Sequence, residues 1–175
     1  MLPLGPLNSK SFMTSISPWV VVFDALNPFQ VPAVPRDIPV APYLHESKGP
    51  YTYDIRVQAD LIVEEGRCST ICISDLKSLY WSFRDLVAHQ TSNGCNLNTG
   101  DILATGTISG EAQDSHGCLL EMTKGGKMSF TVDGAFTRTF LRDGDTVRIS
   151  AYAGDGVGFG ECTGQLVPCT ADVVL

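Results

Sequence analysis

Three turn dipeptides, Gly125-Gly126, Asp133-Gly134 and Asp143-Gly144, constrain the fold of this chain more than any other feature. Glycine in such pairs supplies the positive φ of a tight hairpin turn. The turns follow one another so closely that the chain between them has room for strands but hardly for helices. The sequence therefore predicts a β-meander, with strands near 118–123, 128–132, 136–141, 145–153 and 164–169. Upstream, Gly100-Asp101 turns the chain into a further strand from Ile102 through Ser109. Over 51–63, Tyr51, Tyr53, Ile55 and Val57 alternate with Thr52, Asp54, Arg56 and Gln58, the pattern of a half-buried strand. The apolar, β-branched run from Ile16 to Asp24 predicts a buried strand. Between these two, Pro28, Pro32, Pro35, Pro39, Pro42 and Pro50 mark an extended surface loop, because proline donates nothing to a ladder. One strong helix is predicted at 75–89, where Leu76, Leu79, Tyr80, Phe83, Leu86 and Val87 recur at helical spacing. Ser74 or Asp75 can cap it and Asn93-Gly94 stops it. The expected class is mainly β, of α+β type, with one principal helix.

The chain has 175 residues, enough for one core and too few for two full-sized domains. Hydrophobic residues at 43% and charged residues at 18% exclude wholesale disorder. A net charge of −7 argues against nucleic acid or an anionic membrane surface as partner. The longest apolar run, Trp19 to Phe23, is far short of the ~20 residues that cross a bilayer. The start, Met1 to Pro6, has no basic region and two prolines, so no targeting segment is expected. Cys68, Cys72, Cys95, Cys118, Cys162 and Cys169 are scattered, and Cys68 and Cys72 have no Cys or His pair beside them to complete a zinc site. Buried, reduced thiols in a cytoplasmic protein are the expectation.

Spacing alone offers few chemical leads. Gly154 to Gly160 is glycine-rich but opens no helix, so it predicts a tight loop or bulge and not a phosphate cradle. His45, His89 and His116 lie on unrelated segments without metal-ligand spacing, and surface or capping roles are expected for them. Gly106-Thr107-Ile108-Ser109-Gly110 places glycines on both sides of two hydroxyls, which suits either the close approach of a ligand or a bulge with solvated hydroxyls. Glu121 lies in the apolar run Cys118 to Met122 and, on strict alternation, shares a face with Leu119. It is then either a buried carboxylate with a partner or a task, or an exposed residue on an edge strand.

Three stretches carry a family resemblance. They are Lys10-Ser11-Phe12 followed by Ser17-Pro18-Trp19-Val20-Val21; Asn93-Gly94-Cys95-Asn96-Leu97 followed by Gly100 to Gly110; and Gly154-Asp155-Gly156 with Gly158-Phe159-Gly160. Leu2 to Pro6, Pro50 to Ile55 and Tyr80-Trp81 fill the spaces, so the similarity runs almost end to end. In this order the motifs resemble the C-terminal part of the catalytic domain of the fumarylacetoacetase family. The resemblance implies a portion of a mixed β-roll, with 1–175 a single partial domain, in a cytoplasmic protein that works as a homodimer. It implies hydrolysis of 4-fumarylacetoacetate to fumarate and acetoacetate, the last step of tyrosine and phenylalanine breakdown. In that family calcium or magnesium polarises the diketone, and a Glu–His pair activates water.

Carried over by position, the resemblance gives Lys10 the role of stabilising developing oxyanion charge at the edge of the metal region, with Thr14 beside it at the magnesium site. It makes Thr107 a substrate contact and Glu121 the acidic partner of the catalytic histidine. The family's four metal carboxylates and that histidine correspond to positions upstream of Met1. Local departures are Asn8-Ser9 for Leu-Gly, Met13 for glycine, and Val157 in place of a longer Tyr-containing insert. The isolated chain is therefore expected to be inactive. The alternative is a non-catalytic truncated product, or a fragment that pairs with a full-length subunit. The Asn-Gly-Cys-Asn-Leu block and Ser-Pro-Trp-Val-Val argue against an acylpyruvate hydrolase or an oxaloacetate decarboxylase.

Overall fold

The alternating run after residue 50 forms two strands where one was expected, and the break between them organises the fold. In this computed structural model, which describes residues 13–44, 49 and 51–168, β2 (Tyr51–Tyr53) pairs antiparallel with β1 (Gln30–Pro32). At Asp54, whose N–H donates to the Phe29 carbonyl at 2.8 Å, the chain changes sheets. It continues as β3 (Ile55–Ile62), which pairs on one side with β4 (Cys68–Asp75) and on the other with β7 (Thr146–Ala153). A fourth strand, β8 (Val157–Gln165), completes an antiparallel sheet in the order β4-β3-β7-β8. The short hairpin of β5 (Phe130–Val132) and β6 (Phe136–Arg138) turns at Asp133-Gly134, with φ of 48° and 68°. Positive φ at both positions is what the Asp-Gly pair predicts. Strand thus exceeds helix among the described residues, and the sheets are antiparallel.

Side chains on β3 divide the interior into two clusters. Ile55 packs with Leu26, Tyr53, Leu76 and Ala153, while Leu61 packs with Val63 and Val132. Because successive strand residues face opposite ways, Ile55, Val57 and Leu61 share one face and carry the core along the strand.

Several expectations are corrected. The run 16–24 forms no strand: Ile16, Trp19, Val20 and Val22 are exposed, and a 3-10 helix begins at Phe23. Pro18 lacks an N–H in the middle of this run, so the run cannot continue a ladder. Instead the Ser17 hydroxyl donates to the Phe159 carbonyl of β8 at 3.1 Å, and the Trp19 ring lies over Gly160. The proline-rich stretch includes β1, which ends at Pro32. The helix starts eight residues later than expected, as α1 (Phe83–Thr91). Ser82, not Ser74 or Asp75, caps it: Ser82 Oγ accepts the Asp85 N–H and Asp85 accepts the Ser82 N–H, a capping box. Residues 76–78 form a 3-10 turn, and Leu79 and Tyr80 lie outside any helix.

Residues 102–109 follow no ladder, and Gly106 has a φ of 75° that interrupts extended backbone. The expected strand at 118–123 is a one-turn helix, α2 (Leu119–Met122). Leu-Leu-Glu-Met is a run of good helix formers. Gly125-Gly126 accordingly ends a helix and turns no hairpin, with the Gly125 N–H donating to the Leu120 carbonyl at 2.7 Å. Only Gly154-Asp155-Gly156 is loop; the strand resumes at Val157, ahead of the expected 164–169, and Gly160 at a φ of 71° stays within it. The β7–β8 register shifts between Ser150 and Tyr152, so a bulge accompanies the loop. Of the thiols, Cys72 alone is buried among the described residues; Cys68 and Cys95 are exposed, and all five described cysteines are free. No helix among the described residues is long and apolar enough to cross a membrane.

Candidate active site

The loop that follows Gly110 folds back on the Gly-Thr-Ile-Ser-Gly stretch and builds the site. The Gly110 N–H donates to the Ser115 carbonyl at 3.0 Å, and the Ser115 hydroxyl caps the loop from within by donating to the Ala112 carbonyl at 2.7 Å. The Ile73 N–H of β4 donates to the Asp114 carbonyl at 2.8 Å, which pins the loop to the edge of the main sheet. This return brings Gly117 against the backbone of residues 107–109. A Cβ on Gly117 would stand 2.3 Å from the Ile108 carbonyl oxygen and 2.7 Å from Thr107 Cγ2, so only glycine fits. One turn later, α2 presents Glu121.

Two hydrogen bonds join these pieces. The Ser109 hydroxyl donates to Glu121 Oε2 at 2.7 Å, and Ser109 Oγ accepts the Gly117 N–H at 3.0 Å. Glu121 is exposed, which decides between the two sequence readings: its carboxylate is solvent-facing, and it stands on a helix and not on an edge strand. Its other oxygen makes no hydrogen bond among the described residues. Thr107 is exposed, its methyl group against Gly117 and its hydroxyl without a partner among the described residues. Beneath the cluster, burial pushes the Cys72 thiol up; the Ser74 hydroxyl pulls the other way, and the negative charges of Asp114 and Glu121 push it further. Cys72 is therefore a neutral, unreactive thiol at physiological pH.

Thr107 and Glu121 thus come together through Ser109 and Gly117. Thr14 is exposed on the chain that runs toward β8, where the neighbouring Ser15 hydroxyl lies against Gly164, and no contact joins it to the cluster. Lys10 and His45 lie outside the described residues. His89 is exposed near the end of α1. His116 is half-buried and lines a groove with Glu111, Lys124 and Thr70. Spacing flagged the Ser109 hydroxyl but not its partner. Twelve residues separate Ser109 from Glu121, and only the loop closure at Gly110 and Ser115 brings them together. The described residues include no group of three or more His, Cys, Asp or Glu placed to hold a metal ion.

Residues 1–167 match the family model described as fumarylacetoacetate hydrolase C-terminal. Among curated proteins, a fumarylacetoacetase from Arabidopsis thaliana is 49% identical over 172 residues, 95% of this chain and 40% of that protein. Fumarylacetoacetases from Mus musculus and Homo sapiens are 47% and 44% identical over 171 residues, each alignment covering 95% of this chain and 41% of the relative. The chain spans about two fifths of the length of these relatives.

Proposed function

From a chain that belongs to the fumarylacetoacetate hydrolase family and matches its C-terminal region, we propose a part in the hydrolysis of 4-fumarylacetoacetate to fumarate and acetoacetate. The reaction breaks a carbon–carbon bond by adding water across it. The observation that carries the reading is the hydrogen bond from Ser109 to Glu121, which holds a carboxylate with one oxygen open on the loop whose Gly117 packs against Thr107.

In this proposal the open oxygen of Glu121 accepts the N–H of an imidazole, fixes its tautomer and leaves the other ring nitrogen as base toward water. Thr107 donates its hydroxyl to an oxygen of the substrate. Lys10, by its position in the family motif, offsets negative charge that develops on substrate oxygen, and Thr14 stands with it. Calcium or magnesium belongs to the family reaction, where it acts as a Lewis acid. A calcium ion takes about six to eight oxygen ligands, and the described residues offer no such set, so they do not fit this cation. The β-roll, the homodimer and the cytoplasm come with the same family reading. Five free cysteines support a reducing compartment.

The test is a fusion of this chain behind the upstream part of the mouse relative, assayed for consumption of fumarylacetoacetate with added calcium or magnesium. Turnover is expected, and Glu121→Gln should lower kcat by about two orders of magnitude with the melting temperature unchanged. Glu121→Gln with the parent's turnover would overturn the role given to Glu121. Metal-dependent turnover by the isolated chain would overturn the division of labour with the upstream part.

A further inference from the structure

We propose that Ser109 is a positioning residue for this reaction, which sets the orientation of the Glu121 carboxylate; the proposal rests on the reading of Glu121 given above. A serine hydroxyl has one proton and two lone pairs. Here the Gly117 N–H occupies a lone pair at 3.0 Å, and the proton goes to Glu121 Oε2 at 2.7 Å. The rotor is held from both sides. A free hydroxyl on an exposed loop samples three staggered positions, whereas this one has a donor behind it and an anionic acceptor in front. Hydrogen bonds to an ionised acceptor are the stronger kind.

The backbone around Ser109 is fixed for the same purpose. Gly110 is tied to Ser115, Asp114 is tied to Ile73 of β4, and Gly117 sits where any side chain would strike the Ile108 carbonyl. The Gly117 N–H is thereby aimed at Ser109 Oγ by the loop closure and not by chance contact. Glu121 stands on a single helical turn, which by itself holds a long side chain poorly, so the Ser109 hydroxyl supplies the fixed point. Engaging Oε2 leaves Oε1 open toward a base. With its proton given to Glu121 and a lone pair to the Gly117 N–H, Ser109 acts through Glu121.

Four variants of the fusion enzyme test this: Ser109→Ala, Ser109→Cys, Ser109→Thr and Glu121→Gln. Ser109→Ala should lower kcat about tenfold or more, with KM within about twofold of the parent. Ser109→Cys keeps the bulk but donates weakly, so it should fall as the alanine does; a space-filling role would instead leave it near the parent. Ser109→Thr retains the hydroxyl and should recover most of kcat. The double variant Ser109→Ala with Glu121→Gln should lose no more than Glu121→Gln alone, because both act on one unit. Amide exchange at Gly117 should quicken in Ser109→Ala and not in Ser109→Thr, a readout independent of turnover. If Glu121→Gln is impaired while Ser109→Ala and Ser109→Cys match the parent, this proposal fails and the role of Glu121 stands. If Glu121→Gln itself matches the parent, both fail.

Discussion

Two ends of the molecule treat polar groups in opposite ways. Where β3, β6 and β7 meet, Arg138 is 2% exposed and Asp145 is 1% exposed. Arg138 donates from Nε and Nη2 to the two oxygens of Asp145 at 2.9 Å, and from Nη2 to Glu64 at 2.6 Å. Asp145 also accepts the Arg142 N–H at 2.9 Å. Each charge there is answered within the chain. Around Ser109, Thr107 and Glu121 stand at the surface, each with a polar atom that no described residue answers. The first arrangement holds the fold, and a single truncation leaves a buried ion behind. The second leaves bonding capacity open, so its loss should be read in turnover before it is read in stability.

Breaking the buried pair should give the largest effect. Arg138→Ala strands Asp145 in the interior and should cost about 3–5 kcal/mol in urea unfolding at neutral pH. A cost under about 1 kcal/mol would mean that water reaches Asp145, and the contrast between the two ends would go. The same site sets an acid dependence. Burial pushes the Asp145 carboxyl up, but the hydrogen bonds from the Arg138 guanidinium and the Arg142 N–H outweigh it and hold the carboxyl below the usual range. A depressed native value means that the unfolded state takes up the proton first. The stabilisation is therefore complete above the unfolded carboxyl value, about 3.9, and fades as pH falls through the native one. The stability gap between the parent and Asp145→Asn should be full at neutral pH and shrink below about pH 4. Asp60, held low by Thr70, Arg148 and Gln58 against the opposing effect of burial, adds a loss of the same sign in both proteins.

A middle-sized effect sharpens the comparison at the site itself. Packing at the site is tightest at Gly117, since the nearest atom to an added Cβ is a backbone oxygen at 2.3 Å, against a side-chain hydroxyl at 2.9 Å for Gly110. Backbone cannot swing aside as a side chain can, so Gly117→Ala should shift the loop and cost about 1–3 kcal/mol, the usual range for overpacking. The shift should also open the bond from the backbone N–H at position 117 to Ser109, visible as faster amide exchange at that position. An alanine variant as stable as the parent, with exchange unchanged, would show that the loop return is loose.

The sequence read best where a local signal and its partner were close together. Asp133-Gly134 fixed its hairpin, and the strand expected at 145–153 is β7 within a residue. Thr107 and Glu121 lie on one loop cluster, but the joining atom belongs to Ser109 and depends on a loop closure that no local pattern encodes. The helical period extends too far upstream because Leu76 and Leu79 fit it while packing from a 3-10 turn and the chain beyond it. The capping box Ser82-x-x-Asp85 was the better guide to its start. The pattern around Glu121 reads as strand because glycine pairs serve hairpins and helix ends alike, and only the hydrogen bond from Gly125 to Leu120 decides between them.

The smallest effect falls where composition and exposure disagree most. The run 16–24 reads as buried on hydrophobicity alone, yet Val20 is 89% exposed, while Val132 in β5 is 0% exposed. Both are valines in one chain, so they isolate the environment from the side chain. Burying a valine is worth about 1.5–3 kcal/mol, and that is what Val132→Ala should approach, at ~2 kcal/mol, once the cavity left behind is included. Val20→Ser removes a side chain that water already reaches, and surface changes of this kind stay within about 0.5 kcal/mol. Urea unfolding of the isolated chain with either change measures the difference. A loss at Val20 equal to that at Val132 would place this run in a core, restore the strand that its composition suggests, and remove Pro18 as the reason the ladder stops.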